Sequence, residues 1–159
     1  MSRELPKTVK ITEEDKEKFF KSVLSDQPYT EEFNLFDGQY KIKLKSLSVQ
    51  ENTDVVSQIV ADKAQGVAAE NDAYFITIST YRLAQSLVSI NGAQYSDIDK
   101  ATFKTEDPGE TYVLARSKTM TSWSTAKLSL FLDAFSVFES RLIKLTNEVQ
   151  TLNFWKASV

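Results

Sequence analysis

The sequence predicts an α+β fold that is mainly helical, in which an N-terminal β-hairpin packs on a bundle of helices with a long C-terminal helix. Two observations carry this prediction. An Asp37-Gly38 pair separates two segments of alternating apolar and polar residues, which is typical of a hairpin turn. Elsewhere apolar residues recur every three or four positions, most extensively over residues 126–152. With 159 residues, of which 42% are hydrophobic, a single globular domain is expected, and we assign it to residues 12–152.

The first helix is expected to follow Thr12, whose side chain can act as the N-cap. Acidic residues in the first turn suit the positive end of the helix dipole. The apolar stripe of this helix consists of Phe19, Phe20, Val23 and Leu24. Residues 1–11 are expected to form a flexible N-terminal arm. Two interpretations remain open, a surface helix that covers the core and a detachable arm that binds a neighbouring subunit.

The hairpin is the most specific local prediction. Counting outward from Asp37-Gly38 places Leu35 opposite Tyr40 and Phe33 opposite Ile42. These four residues share one face, which Leu44 continues. The other face carries Asn34, Lys41, Lys43 and Lys45. A lone hairpin is only marginally stable, so it must pack on helices or join a larger sheet.

Two further helices are expected in the middle of the chain. Ser48 and Glu51 have the spacing of a capping box, and the helix that they begin is expected to end at Gly66. A second helix is expected over residues 69–90, ended by Asn91-Gly92. The β-branched segment 74–80 could instead be a strand, but the helical pattern continues through residues 82–87, which favours the helix.

The remainder of the chain is expected to be a polar loop followed by helices. Residues 93–109 carry several turn signals and are expected to form a mobile loop. A short helix at residues 111–119 and a long helix at residues 126–152, capped by Ser124 or Thr125, are expected next. Residues 153–159, here called the tail, are apolar and lie beyond this helix.

The aromatic residues of the long helix and of the tail are the candidate partner-binding residues. Such a stripe is more often core than interface, but large aromatics on a tail are costly to leave in water. The two destinations for the tail are a partner protein and the chain's own helical bundle. The candidates are Phe131, Phe135, Phe138, Phe154 and Trp155.

The sequence lacks the residues that most catalytic and metal sites need. It contains no His and no Cys, which excludes Ser-His and Cys-His relays and the usual zinc and iron ligand sets. The four glycines are widely separated, so no Gly-rich phosphate-binding loop is present. The acidic clusters 13–15 and 106–107 lack the spacing of a calcium loop. We therefore expect a protein that is not an enzyme and that binds no cofactor and no transition metal.

Charge and hydropathy limit the partners further. A net charge of -3 argues against general binding to nucleic acid. No apolar segment approaches the roughly 20 residues that span a bilayer, so no membrane association is expected. The first residues lack the apolar core of a signal peptide, and a cytoplasmic location is the simplest expectation.

Three segments carry a resemblance to a known family. They are EFNLFDGQYKIKLKSLS, YRLAQSLVSINGAQYSDI and WSTAKLSLFLDAFSVFESRLIKLTNEV. In their order and apolar spacing they resemble the small tail assembly proteins of tailed phages, which include tail assembly chaperones and baseplate hub assembly proteins of the T4-like type. The similarity covers roughly residues 29–150 and is a pattern of spacing rather than a sharp motif.

The resemblance implies a non-enzymatic role without catalytic residues. The implied partners are phage tail or baseplate proteins, bound transiently or in the finished virion, and homo-oligomerisation is compatible with such a role. The implied location is the host cell cytoplasm or the virion. A small regulatory protein-binding module, unrelated to virion assembly, is the alternative; it would need a ligand pocket or a basic patch, which the sequence does not reveal.

Overall fold

The computed structural model describes residues 10–66, 72–104, 106 and 109–150. Over these ranges the protein is an α+β fold with a long C-terminal helix, as predicted. The helices are α1 (Glu13–Leu24), α2 (Val49–Ala64), α3 (Asp72–Ser86), α4 (Tyr112–Ser117) and α5 (Thr125–Val149), with a 3-10 helix (Lys118–Ser122) before α5. The strands are β1 (Thr30–Leu35), β2 (Tyr40–Lys45), β3 (Leu87–Ile90) and β4 (Ala93–Gln94).

The four strands form one antiparallel sheet in the order β1-β2-β3-β4. The predicted hairpin register is confirmed, since Leu35 pairs with Tyr40 and Phe33 pairs with Ile42. Asp37 and Gly38 have φ values of 51° and 83°, the left-handed conformation that a tight hairpin turn requires. The sheet therefore keeps the apolar face of the hairpin on one side, as the alternation of residues predicted.

The predicted helix caps are also confirmed. Thr12 and Asp15 form a capping box on α1, and Ser48 and Glu51 form one on α2. The side chain of Ser124 accepts a hydrogen bond from the backbone of Lys127 at the start of α5. Short-range capping chemistry thus determined where these three helices begin.

The helix predicted over residues 69–90 is wrong at its C-terminal end. The segment 74–80 is helical, as expected, but α3 ends at Ser86 and residues 87–90 form β3. Asn91-Gly92 is therefore a hairpin turn between β3 and β4, rather than a helix stop. The physical reason is the open edge of β2, because Ile90 pairs with Ile42 and the Asn91 side chain accepts from the Lys41 backbone at 2.7 Å.

Two boundaries also need correction. Residues 10 and 11 belong to the fold rather than to a flexible arm, because Ile11 packs against the core and the Lys10 carbonyl accepts a hydrogen bond from Arg141 at 2.7 Å. The segment 93–109 contains β4 at its start. Residues 1–9 and 151–159, which include the tail, lie outside the described residues.

The core lies between the sheet, α1, the end of α3 and α5. Its centre is aromatic, with the Phe138 ring 6.3 Å from the Tyr29 ring and 6.1 Å from the Phe33 ring. A smaller cluster of Val55, Tyr81 and Val113 joins α2, α3 and α4.

Candidate functional site

An open groove lies between α3, α4, the 3-10 helix and the start of α5. Its volume is about 550 Å³. We call it the α3 groove. It is lined by Ile76, Thr77, Thr80, Tyr81, Gly109, Glu110, Leu114, Ser117, Lys118, Met120, Thr121 and Leu128.

The α3 groove has an apolar floor and an exposed apolar edge. Met120 and Tyr81 are both buried in its lining. Ile76 lines the groove and is 55% exposed, and the adjacent Phe75 is 59% exposed. Large apolar side chains left in water next to a concave surface are typical of a surface that binds another protein.

A buried hydrogen-bond network holds the wall of the α3 groove. The Tyr81 hydroxyl donates to the Asp62 carboxylate at 2.7 Å, and the Tyr74 hydroxyl donates to the same oxygen at 3.0 Å. Gln58 donates its amide to the other Asp62 oxygen at 2.8 Å, and its carbonyl accepts from the Thr111 hydroxyl. The network joins α2, α3 and the N-cap of α4, so it fixes the spacing of the helices beside the groove.

The same network keeps both tyrosines protonated. Burial, reinforced by the hydrogen bond to Asp62, raises the pKa of Tyr74 to about 12. Burial raises the pKa of Tyr81 further, and the hydrogen bond to Asp62 adds to it. A hydroxyl with so high a pKa is a hydrogen-bond donor at neutral pH and not a general base. The Asp62 carboxylate is engaged by three donors, which identifies it as a structural group.

The far end of α3 is capped by Arg116. Its guanidinium donates to the backbone carbonyls of Ala84 and Leu87, the latter at 2.9 Å. The Tyr95 hydroxyl donates to the Arg116 carbonyl at 2.6 Å. Burial raises the pKa of Tyr95 to about 12. These contacts satisfy carbonyls that the change from helix to strand leaves without a helical partner.

Among the described residues that line the α3 groove, Glu110 and Lys118 are charged, and the remaining polar side chains are hydroxyls. In the described part of the chain, no group of three or more acidic side chains is placed to hold a metal ion. The groove can therefore recognise an apolar surface and donate or accept hydrogen bonds around it.

Of the five candidate partner-binding residues, three lie in the described part of the chain. Phe131, Phe135 and Phe138 are core residues, each at most 4% exposed, so a partner could not contact them without opening the fold. Their burial follows from the sheet, which packs on this face of α5. Phe154 and Trp155 lie outside the described residues.

Sequence reasoning missed the exposed pair Phe75 and Ile76. The signal was present, because the apolar stripe of this helix runs through Tyr74, Ile78 and Tyr81. Phe75 and Ile76 fall off that stripe, and large apolar residues off the buried face of a helix indicate a contact surface.

Comparisons with protein-family models, with curated proteins and with solved structures find no match. Among the described residues, no helix combines the length and the apolar character needed to cross a bilayer. The geometry of the chain itself is therefore the basis for the functional argument.

Proposed function

We propose that this protein is a non-enzymatic binding protein that acts through protein-protein contacts in the assembly of a phage tail or baseplate. The α3 groove is its proposed partner site. The observation that carries the proposal is the exposed Ile76, which lines an open, mainly apolar groove and is followed outward on α3 by the exposed neighbour Phe75. The phage context rests on the sequence resemblance alone.

A helix of a partner protein fits the α3 groove better than a small metabolite does. The groove is open, and its apolar surface continues outward onto exposed side chains instead of closing around a ligand. Amphipathic helices bind such surfaces through apolar residues spaced three or four positions apart. Small-molecule sites, in contrast, usually bury most of the ligand and place several polar groups around it.

The expected gain in free energy is modest but sufficient for specific association. Fully burying a side chain of the size of Phe or Ile contributes roughly 1.5–3 kcal/mol. More than half of each side chain of the Phe75-Ile76 pair is in water. Covering both therefore supplies roughly 2–3 kcal/mol. The rest of the affinity would come from the groove itself.

The proposal is tested by co-expression with the tape-measure, tube and baseplate proteins encoded by the same genome, followed by affinity purification. We expect one of them to co-purify with the wild-type chain and to be lost with Ile76→Glu. The matched control is Val60→Glu, because Val60 is a similarly exposed apolar residue, 61% against 55% for Ile76, and lies on α2 outside the lining of the α3 groove. Retention of the partner by Ile76→Glu, or association with none of these proteins, would overturn the proposal.

An assembly chaperone and a structural subunit of the tail differ in whether they remain in the finished particle. An assembly chaperone leaves before the particle is complete, whereas a baseplate or hub component stays. Mass spectrometry of purified mature particles distinguishes them, because only a structural component is present at a fixed ratio to the other tail proteins.

A further inference from the structure

The strand β1 forms an open edge of the sheet. Among the described strands it pairs with β2 alone, because the strand order is β1-β2-β3-β4. The ladder between these two strands keeps a regular register from Thr30 to Leu35, and β1 contains no Pro. A regular edge of this kind presents unpaired backbone N–H and C=O groups, with which a further strand can form hydrogen bonds.

The hydrogen bonds of Lys41 on β2 show which backbone groups of β1 point outward. The Lys41 carbonyl accepts from the Asn91 N–H at 2.7 Å, and the Lys41 N–H donates to the Asn91 side chain at 2.7 Å. Both backbone groups of Lys41 therefore point away from β1. In an antiparallel ladder the residue directly opposite then also points its groups away, so the N–H and C=O of Asn34 face the open edge.

Thr30 and Glu32 have the same orientation as Asn34, because it recurs at every second residue of the strand. The Lys18 ammonium group agrees with this orientation, since it donates to the Thr30 carbonyl at 2.8 Å. In the part of the chain that the structure describes, no hydrogen bond reaches the backbone N–H and C=O groups of Glu32 and Asn34. The donors and acceptors of these two residues are therefore available to another strand.

The side chains at this edge are complementary to each other. Glu32 and Asn34 lie on the exposed face of the sheet, opposite the face that carries Phe33 and Leu35. The Lys41 ammonium group contacts one oxygen of the Glu32 carboxylate at 3.2 Å, and the other oxygen can accept from an amide. The amide nitrogen of Asn is such a donor. A second β1 strand that places its Asn34 opposite Glu32 therefore satisfies both side chains.

We infer that two copies of the chain associate through β1, with the two strands antiparallel about a two-fold axis at Phe33. Glu32 of each copy then lies opposite Asn34 of the other copy, at a Cα separation of about 5.5 Å, and each of these pairs exchanges two backbone hydrogen bonds. A two-fold dimer needs only one self-complementary surface, since both copies use the same residues. The two four-stranded sheets thereby join into one.

The neighbouring residues select this register over the registers two residues away. A shift in one direction places Glu32 opposite Glu32 of the second copy, and like charges directly opposite destabilise a strand pair. That register also needs the Thr30 carbonyl, which Lys18 occupies. A shift in the other direction pairs Glu32 with Phe36, whose φ of 52° lies outside the extended range of a strand.

This interface does not rest on the proposed function. The described lining of the α3 groove contains no residue of β1, so a second copy on β1 and a partner in the groove are separate contacts. The competing occupant of the edge is an extended strand of a different protein.

Charge variants at Asn34 test the inference by sedimentation equilibrium of the purified chain, from micromolar to millimolar concentration. We expect the wild type to show a monomer-dimer equilibrium. Asn34→Lys places an ammonium group opposite Glu32 twice in each dimer and should lower the dimer Kd roughly 2- to 30-fold, whereas Asn34→Glu should raise it by a similar factor. Glu32→Lys combined with Asn34→Glu restores opposite charges and should bring the Kd back at least to the wild-type value. The matched control is Asn147→Lys, an exposed position on α5 at which the same change should leave the Kd unaltered.

Mixed disulfides report the register. Because the chain contains no Cys, an introduced residue is the sole source of a disulfide. When Glu32→Cys and Asn34→Cys chains are mixed and oxidised, we expect the heterodimer in more than the twofold excess over each homodimer that random pairing gives. Identical positions are offset by two residues along the strands, which separates their Cα atoms by about 9 Å, beyond the roughly 7 Å that a disulfide spans. A mixture of Glu32→Cys with Asn147→Cys should give random pairing.

Three outcomes would overturn the inference. The first is a chain that stays monomeric at millimolar concentration; protection of the Glu32 and Asn34 amides from hydrogen exchange only after another protein is added would then assign the edge to that protein. The second is a dimer whose Kd responds to the Asn34 variants no more than to Asn147→Lys, which would place the contact elsewhere. The third is a Glu32→Cys homodimer in excess over the heterodimer, which would mean a different register.

Discussion

The stability of the fold should depend strongly on Arg141, a charged residue in the middle of the apolar face of α5. Its guanidinium donates to the Glu31 carboxylate at 2.7 and 2.8 Å, to Asp15 at 2.8 Å and to the Lys10 carbonyl at 2.7 Å. The Tyr29 hydroxyl donates to the same Glu31 carboxylate at 2.5 Å. The side chains of Arg141 and Glu31 are only 4% and 2% exposed. This cluster ties the N-terminal segment, β1 and α5 together.

Replacing Arg141 with Met should be costly because it leaves the Glu31 carboxylate buried without its cation. Breaking a buried ion pair on one side typically costs about 3–5 kcal/mol of unfolding free energy. For a domain of this size, each kcal/mol lowers the melting temperature by roughly 2–4 °C. We therefore expect Arg141→Met to melt roughly 6–20 °C below the wild type. Urea unfolding followed by circular dichroism measures the free energy, and a thermal scan measures the shift.

Two further variants show whether the buried charge is the cause. Glu31→Met combined with Arg141→Met removes both charges and should be more stable than Arg141→Met alone, since an apolar pair often replaces a buried ion pair at little cost. Arg82→Met breaks a pair with Glu139 in which both side chains are about a third exposed, so it should cost only about 0–1 kcal/mol. A loss below 1 kcal/mol for Arg141→Met, or a double variant less stable than Arg141→Met, would refute the reasoning.

Two other predictions concern a turn and the tyrosines. Gly38 has a φ of 83° and open space where a Cβ would lie, so Gly38→Val should lower the free energy of unfolding by about 1–2 kcal/mol through backbone strain alone. Gly38→Asn should lower it less, because Asn tolerates a positive φ better. An unchanged melting temperature for Gly38→Val would contradict the hairpin assignment. Burial raises the pKa of Tyr74 and of Tyr95 to about 12, and it raises the pKa of Tyr29 and of Tyr81 further. The folded protein therefore holds these phenolic protons more tightly than the unfolded chain does. The free energy of unfolding that these tyrosines contribute is fully present below about pH 10 and should be lost as the pH rises from about 10 towards 12. Urea unfolding midpoints measured across this range test the prediction, and Tyr81→Phe should weaken their dependence on pH. A midpoint that does not change with pH would exclude this linkage.

Local chemistry explains why much of the fold was predictable from the sequence. The register of β1 and β2 follows from the alternation of apolar residues on either side of Asp37-Gly38, since a shift by one residue would expose Phe33 and Leu35. The start of α2 follows from the capping box of Ser48 and Glu51, which needs only residues three positions apart. Both signals are complete within a few residues of chain.

The elements that were mispredicted depend on contacts distant in sequence. Residues 87–90 continue a helical pattern, and they become β3 because the edge of β2 offers Ile42 as a partner to Ile90. The charge cluster was equally hidden, because Glu31 and Arg141 are 110 positions apart. Glu31 lies on the apolar face of β1, and Arg141 lies on the apolar face of α5. Two charged residues of opposite sign on two buried faces are a signal from which the ion pair could have been predicted.

For the candidate sites, too, the local signals could be read from the sequence, whereas the features that depend on distant contacts could not. The aromatic stripe of α5 was a correct signal for a buried face, and the sheet that covers it could not be deduced from the helix alone. The exposure of Phe75 and Ile76 could have been predicted from the helical phase of α3 alone, which places them beside the buried stripe of Tyr74 and Tyr81. The groove itself required the position of α4, which the Asp62 network fixes.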